Sequence, residues 1–139
     1  MDSTYSKAPA HRRSKPRLIV ADPSKETRAM VRSALADAVT EAVEASDGRQ
    51  LFWLLESLAS CPQAQASHLL LVSDVLMGPY SGIEVLEAWT DANLSMTLVA
   101  TSRSFDDGIR SRVARFGGIL LPKPFTAQQL RATVHEVLP

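Results

Sequence analysis

Five side chains spread along this sequence could do chemistry together: Asp22, Asp74, Thr101, Ser102 and Lys123. Each closes or follows an apolar run: "LIVAD" ends at Asp22, "LLLVSD" at Asp74 and "MTLVATS" at Thr101 and Ser102, while "ILLP" leads into Lys123. An acid at the tip of a buried run is costly unless it has a partner or a use. Two carboxylates brought close repel each other unless a cation lies between them, and hard oxygen ligands of this kind favour Mg²⁺. An ammonium and a hydroxyl added to such a pair make a phosphoryl-binding set, in which the cations neutralise charge and the hydroxyl donates to an oxygen. A carboxylate can itself be the acceptor, forming an aspartyl phosphate. Plainer roles exist for each residue. Asp22 before Pro23 and Ser24 can be a turn or cap residue, Thr101 can simply end a strand, and Lys123 between Pro122 and Pro124 can sit on a rigid surface turn. Joint placement at strand ends is what favours the chemical reading.

Placing these residues together requires particular elements. Apolar runs alternate with helical segments, the pattern of an α/β fold with a parallel sheet. Strands are expected at Leu18 to Asp22, Ala38 to Glu44, Leu69 to Asp74, Met96 to Thr101 and Gly118 to Leu121. Helix starts carry capping chemistry: Ser24 precedes "KETRAMVRSALA", and Asp47 with Gln50, Ser81 with Glu84 and Thr126 with Gln129 are each spaced as cap and partner. Met30, Val31, Ala34, Leu35 and Ala38 can share one helical face, and Leu130, Val134, Val137 and Leu138 give the last helix an apolar stripe. The segment Ser60 to Ser67 reads as a longer loop. The expectation is a flavodoxin-like doubly wound (βα)5 fold, a five-stranded parallel sheet ordered 2-1-3-4-5, with a crevice beyond the carboxyl ends of the strands.

At 139 residues and 45% hydrophobic content, the chain can bury one core. No apolar stretch is long enough to span a bilayer, and the N-terminus lacks the apolar region of a secretory signal. A single cysteine, Cys61, fits a reducing, cytoplasmic setting. Fifteen basic and fifteen acidic residues balance, but residues 1–17 hold Lys7, Arg12, Arg13, Lys15 and Arg17 against Asp2 alone. That segment is expected to be a solvated, disordered basic tail, with the folded domain over 18–139.

With these residues in hand, the chain resembles a CheY-like receiver domain of the bacterial two-component response regulators, over residues 18 to 138. "LIVADPSKETRAMVRSAL" is similar to the family's first strand and helix, and "VEASDGRQL" to its second strand and turn. "LLLVSDVLMGPYSGIEVL" carries an acid followed by Met three residues on and Gly eight residues on: Asp74, Met77 and Gly82. "VATS" and "LPKPF" supply the hydroxyl at Thr101 and the Lys-Pro at Lys123 and Pro124. The resemblance implies that Asp74 accepts a phosphoryl group, that Thr101 is the switch hydroxyl and that Lys123 pairs with the phosphoryl group. It implies Mg²⁺ on Asp22, Asp74 and the backbone carbonyl of Leu76, and a cis Lys123–Pro124 peptide. The implied partners are a histidine kinase or phosphotransfer protein and a downstream protein. A homodimer through the helix 4, strand 5 and helix 5 face also follows from it, with no nucleic acid on the core domain and no membrane.

The sequence also departs from the family pattern. In register with Arg28, Pro23 stands where receivers usually have a second acid, so the metal site loses a charge and a ligand. Glu26 is better suited to the first helical turn than to the metal. Leu120 replaces the aromatic switch residue, Gly78 and Pro79 alter the loop after Met77, and Pro122 is compatible only with an edge strand. The leading expectation is a stand-alone receiver in phosphorelay signalling, not an enzyme, with output by protein–protein contact. The alternative is a degenerate pseudo-receiver that binds partners without phosphorylation. A haloacid dehalogenase-type phosphatase with Asp22 as nucleophile is remote, because Ser24 occupies the place of its second acid. An FMN-binding flavodoxin is equally remote, because no phosphate loop follows the first strand.

Overall fold

In the computed structural model, residues 15–61, 68–77, 81–88, 95–104 and 106–139 are described. Strands β1 (Arg17–Ala21), β2 (Ala42–Ala45), β3 (Leu69–Asp74), β4 (Met96–Ser102) and β5 (Ile119–Pro122) form one parallel sheet in the order β2-β1-β3-β4-β5. Five helices alternate with them among the described residues: α1 (Lys25–Ala34), α2 (Gly48–Ala59), α3 (Gly82–Ala88), α4 (Asp107–Arg115) and α5 (Ala127–Val137). The α/β flavodoxin-like architecture and its strand order are those expected.

Strand periodicity divides the core in two. Leu18, Val20, Leu70, Val72 and Val99 point to one face and pack with Val31 and Leu35 at α1 and Leu130 and Val134 of α5. Ile19, Ala21, Leu69, Leu71, Leu98 and Ala100 point to the other, against Leu51 and Leu55 of α2, Ile83 and Leu86 of α3 and Val113 of α4. Successive residues of a strand face opposite sides, so near-continuous apolar runs are what a sheet covered on both faces requires.

The expected caps form. Ser24 Oγ accepts from the Thr27 N–H and Asp47 Oδ1 from the Gln50 N–H. Ser81 with Glu84 and Thr126 with Gln129 form reciprocal capping boxes.

Several boundaries differ. The second strand is Ala42–Ala45, not Ala38 to Glu44, because Ala36 and Ala38 close turns onto Ser33 and Leu35 and the Thr40 N–H donates to the Pro16 carbonyl. Val39 is apolar because that connection is buried. Helix α1 stops at Ala34, so Leu35 and Ala38 reach the same core from the turns that follow. Three strands shift by a residue at their ends: β1 opens at Arg17 and closes at Ala21, β4 closes at Ser102, and β5 runs from Ile119 to Pro122. The tail residues 1–14, most of the loop expected at Ser60 to Ser67 (62–67), and Gly78 with Pro79 lie outside the described residues.

Candidate functional site

All five strands are parallel, so their carboxyl ends meet at one edge, and the register delivers the candidate residues there. Asp74 lies opposite Thr101 in the β3–β4 ladder, and Ser102 opposite Pro122 in the β4–β5 ladder. The Lys123 N–H donates to the Ser102 carbonyl, which turns the lysine over the ends of the central strands. The Lys123–Pro124 peptide is cis.

Lys123 joins the two acids. Its Nζ donates to Asp22 Oδ2 at 2.7 Å and to Asp74 Oδ2 at 3.1 Å. Asp22 Oδ1 accepts from the Ser24 N–H at 2.8 Å, and Asp74 Oδ1 from the Leu76 N–H at 3.2 Å. Each carboxylate is therefore aimed by a backbone amide and charge-paired with one ammonium, while Asp22 itself is only 3% exposed. Burial pulls the Lys123 pKa down, but the hydrogen bonds and charges of Asp22 and Asp74 outweigh it and hold the ammonium above its ordinary range. The lysine is fully charged at neutral pH.

Thr101 lies beside this pair. Its Oγ1 is buried and is the side-chain polar atom without a hydrogen-bond partner among the described buried groups. A buried hydroxyl left unpaired costs about 1–3 kcal/mol, and this one stands on β4 opposite Asp74 with its donor uncommitted. Ser102, by contrast, is already engaged, its Oγ accepting from the Ser104 N–H at 2.9 Å.

The glycine of the sequence motif also has a physical role. A Cβ on Gly82 would lie 2.7 Å from the Asp74 carbonyl and 2.5 Å from Ser73 Oγ, so only glycine lets α3 start against the end of β3.

The donor set suits a hard divalent cation. Mg²⁺ uses one or two carboxylates and completes its shell with water and substrate oxygens. Asp22 and Asp74 each pair with the Lys123 ammonium, so both carboxylates already face one cation. Pro23 adds no donor, and the described residues hold no group of three His, Cys, Asp or Glu side chains gathered for a metal. Glu26 is exposed and faces the Ser24 hydroxyl at 3.4 Å, in keeping with a role in the first helical turn. Leu76 follows β3 with its amide turned to Asp74. Leu120 packs into the core face that α2, α3 and α4 share. Asp106 caps α4 by accepting from the Ile109 N–H, and Ser24 caps α1, which leaves the phosphatase alternative without a second acid at Asp22.

In the sequence Arg28 is no more than a register mark. The structure gives it contacts: Nη1 donates to the Asp22 carbonyl at 2.7 Å and Nε to Glu44 Oε1 at 2.7 Å. Nothing in residue spacing points to a side chain that binds a backbone carbonyl.

No family model and no curated protein matches the chain. Solved structures do. The chemotaxis response regulator CheY4 of Vibrio cholerae superposes with a TM-score of 0.67 at 24% identity, covering 90% of this chain and 100% of that one. The receiver domain of Francisella response regulator 1452 gives 0.69 at 20% identity, covering 87% and 94%. The signal receiver domain of the response regulator NarL from Mycobacterium tuberculosis gives 0.69 at 22% identity, covering 88% and 95%. The chain has the fold of these receiver domains along nearly their whole length.

Proposed function

We propose that this chain is a receiver domain in phosphorelay signal transduction, with Asp74 as the phosphoacceptor and output through protein–protein contact. The observation that carries the reading is the convergence of Asp22, Asp74 and Lys123 with an unpaired Thr101 hydroxyl at the carboxyl edge of a receiver fold. In this reading a carboxylate oxygen of Asp74 attacks the phosphorus of a phosphohistidine on a kinase or phosphotransfer protein. The P–N bond breaks, the imidazole leaves, and an acyl phosphate remains. Lys123 moves its ammonium onto the phosphoryl oxygens, and Thr101 turns its hydroxyl to donate to one of them.

Asp22, Asp74 and the Leu76 carbonyl are the groups that would hold Mg²⁺. The ion would supply charge neutralisation at the phosphoryl oxygens, more weakly here because Pro23 takes the place of an acid. A cytoplasmic location belongs to the same reading and draws support from the single cysteine. No helix among the described residues is long and apolar enough to cross a membrane.

A second reading has its own observation. With Pro23 beside Asp22 and Lys123 already bridging both acids, the crevice carries its own counter-ion, as a pseudo-receiver that binds partners without phosphorylation would. One experiment separates the two: incubation with acetyl phosphate and Mg²⁺, followed by intact mass. The wild type is expected to gain one phosphoryl group, Asp74→Asn none, and Pro23→Asp to gain it faster. An unmodified wild type and an unmodified Pro23→Asp would leave the pseudo-receiver standing.

A further inference from the structure

Arg28 sits in the first turns of α1 with its side chain only 14% exposed, and it belongs to neither ion pair of the crevice. Its guanidinium reaches back over the start of its own helix. Nη1 donates to the Asp22 carbonyl at 2.7 Å and lies 3.4 Å from the Pro23 carbonyl, while Nε donates to Glu44 Oε1 at 2.7 Å. Glu44 belongs to β2, stands opposite Val20 in the ladder, and is held through its other oxygen by Arg32 at 2.7 Å. The planar fork of an arginine can serve a carboxylate and a carbonyl together, which the single ammonium of a lysine cannot do in the same geometry.

Asp22 is thereby fixed at four points. Its N–H donates to the Ala45 carbonyl at 3.0 Å, and its own carbonyl accepts from Arg28. Those two bonds tie the main chain to β2 and α1. The Ser24 amide and Lys123 then aim the two carboxylate oxygens. Pro23 has no donor, so the charge on this side of the crevice depends on where Asp22 alone is held.

We infer that Arg28 is a positioning residue: through the Asp22 carbonyl it holds that carboxylate where it meets Lys123 and, on the receiver reading on which this inference rests, Mg²⁺. The removal of such an outer-shell support typically lowers metal affinity by about 10- to 100-fold.

The test uses the full chain in two arms, Mg²⁺ titration followed by amide chemical shifts and metal-free hydrogen exchange at the Ser24 amide that Asp22 Oδ1 holds. Arg28→Lys, which keeps the charge and loses the fork, is expected to weaken Mg²⁺ by about tenfold and to speed exchange at Ser24 while the amides of β3 keep their protection. Arg32→Gln also removes a partner of Glu44 but touches no part of the Asp22 turn, and is expected to match the wild type in both arms. Glu44→Ala, which removes the acceptor that anchors Arg28, is expected to fall between them and decides the matter if Arg28→Lys does not fold. Unchanged Mg²⁺ affinity and Ser24 exchange in Arg28→Lys, or equal changes in Arg32→Gln, would overturn the inference. A wild type that binds no Mg²⁺ would instead count against the receiver reading, and the exchange arm would then decide the positioning role alone.

Discussion

Among the described residues the buried Thr101 hydroxyl has no hydrogen-bond partner, so removing it separates resting stability from function. Replacing a buried, unpaired hydroxyl by an apolar group of the same shape is neutral or stabilising. Thr101→Val is expected to raise unfolding free energy by about 1 kcal/mol, measured by urea denaturation, and to abolish any response of the β5 amides to phosphorylation. A loss of stability would mean that the hydroxyl has a partner in solution. At this scale Asp22, Asp74, Thr101 and Lys123 were legible in the sequence because each ends or follows an apolar run, where a polar side chain stands out. Arg28 was not, because its partner is a backbone carbonyl, and a helix of mixed charges gives no sign of which arginine turns back toward the turn before it.

Among the elements, α3 has a seat specified by a single glycine. Its first residue, Gly82, packs against the backbone at the end of β3, and the Asp74 carbonyl, which would lie 2.7 Å from a Cβ added there, cannot move without disturbing the acid itself. Gly82→Ala is expected to destabilise the chain by about 1–3 kcal/mol, the usual cost of overpacking a tight contact. Urea denaturation measures it, and an unchanged midpoint would show that α3 can shift freely. Helix starts were readable because caps depend on short-range chemistry: Ser24, Asp47, Ser81 and Thr126 each bond an amide three residues on. The start of β2 was not, because Val39 is buried in a connection whose pairing is set by Pro16, far away in the sequence. Apolarity reports burial, and only pairing makes a strand.

Across the whole molecule, the two edges of the sheet answer differently to pH. At the edge opposite the crevice, His68 precedes β3, and its ring nitrogens lie 2.6 Å from Ser95 Oγ and Thr97 Oγ1. Burial holds its pKa below the ordinary 6.5. The unfolded chain therefore takes up this proton first, so the His68 contribution is intact above the ordinary value and is lost as pH falls through the folded one. Lys123 has the opposite sign: its pKa is raised, so its contribution is present throughout the neutral range and is lost only as pH rises through its folded value. Between about pH 7 and about pH 5.5 the urea midpoint is expected to fall, and His68→Gln is expected to flatten that slope. An unchanged slope in the variant would assign the effect to other groups. The sheet order was legible at this scale because alternation, continuous apolar strands and right-handed crossovers leave few topologies. What the crevice edge does rests on whether Asp74 takes a phosphoryl group. The most direct measurement is the amide spectrum of the full chain with saturating Mg²⁺, with and without beryllofluoride, a phosphoryl mimic that binds a carboxylate. Shifts at Asp74, Thr101 and Lys123 in the wild type and none in Asp74→Asn are the expected result, and superimposable wild-type spectra would contradict the account.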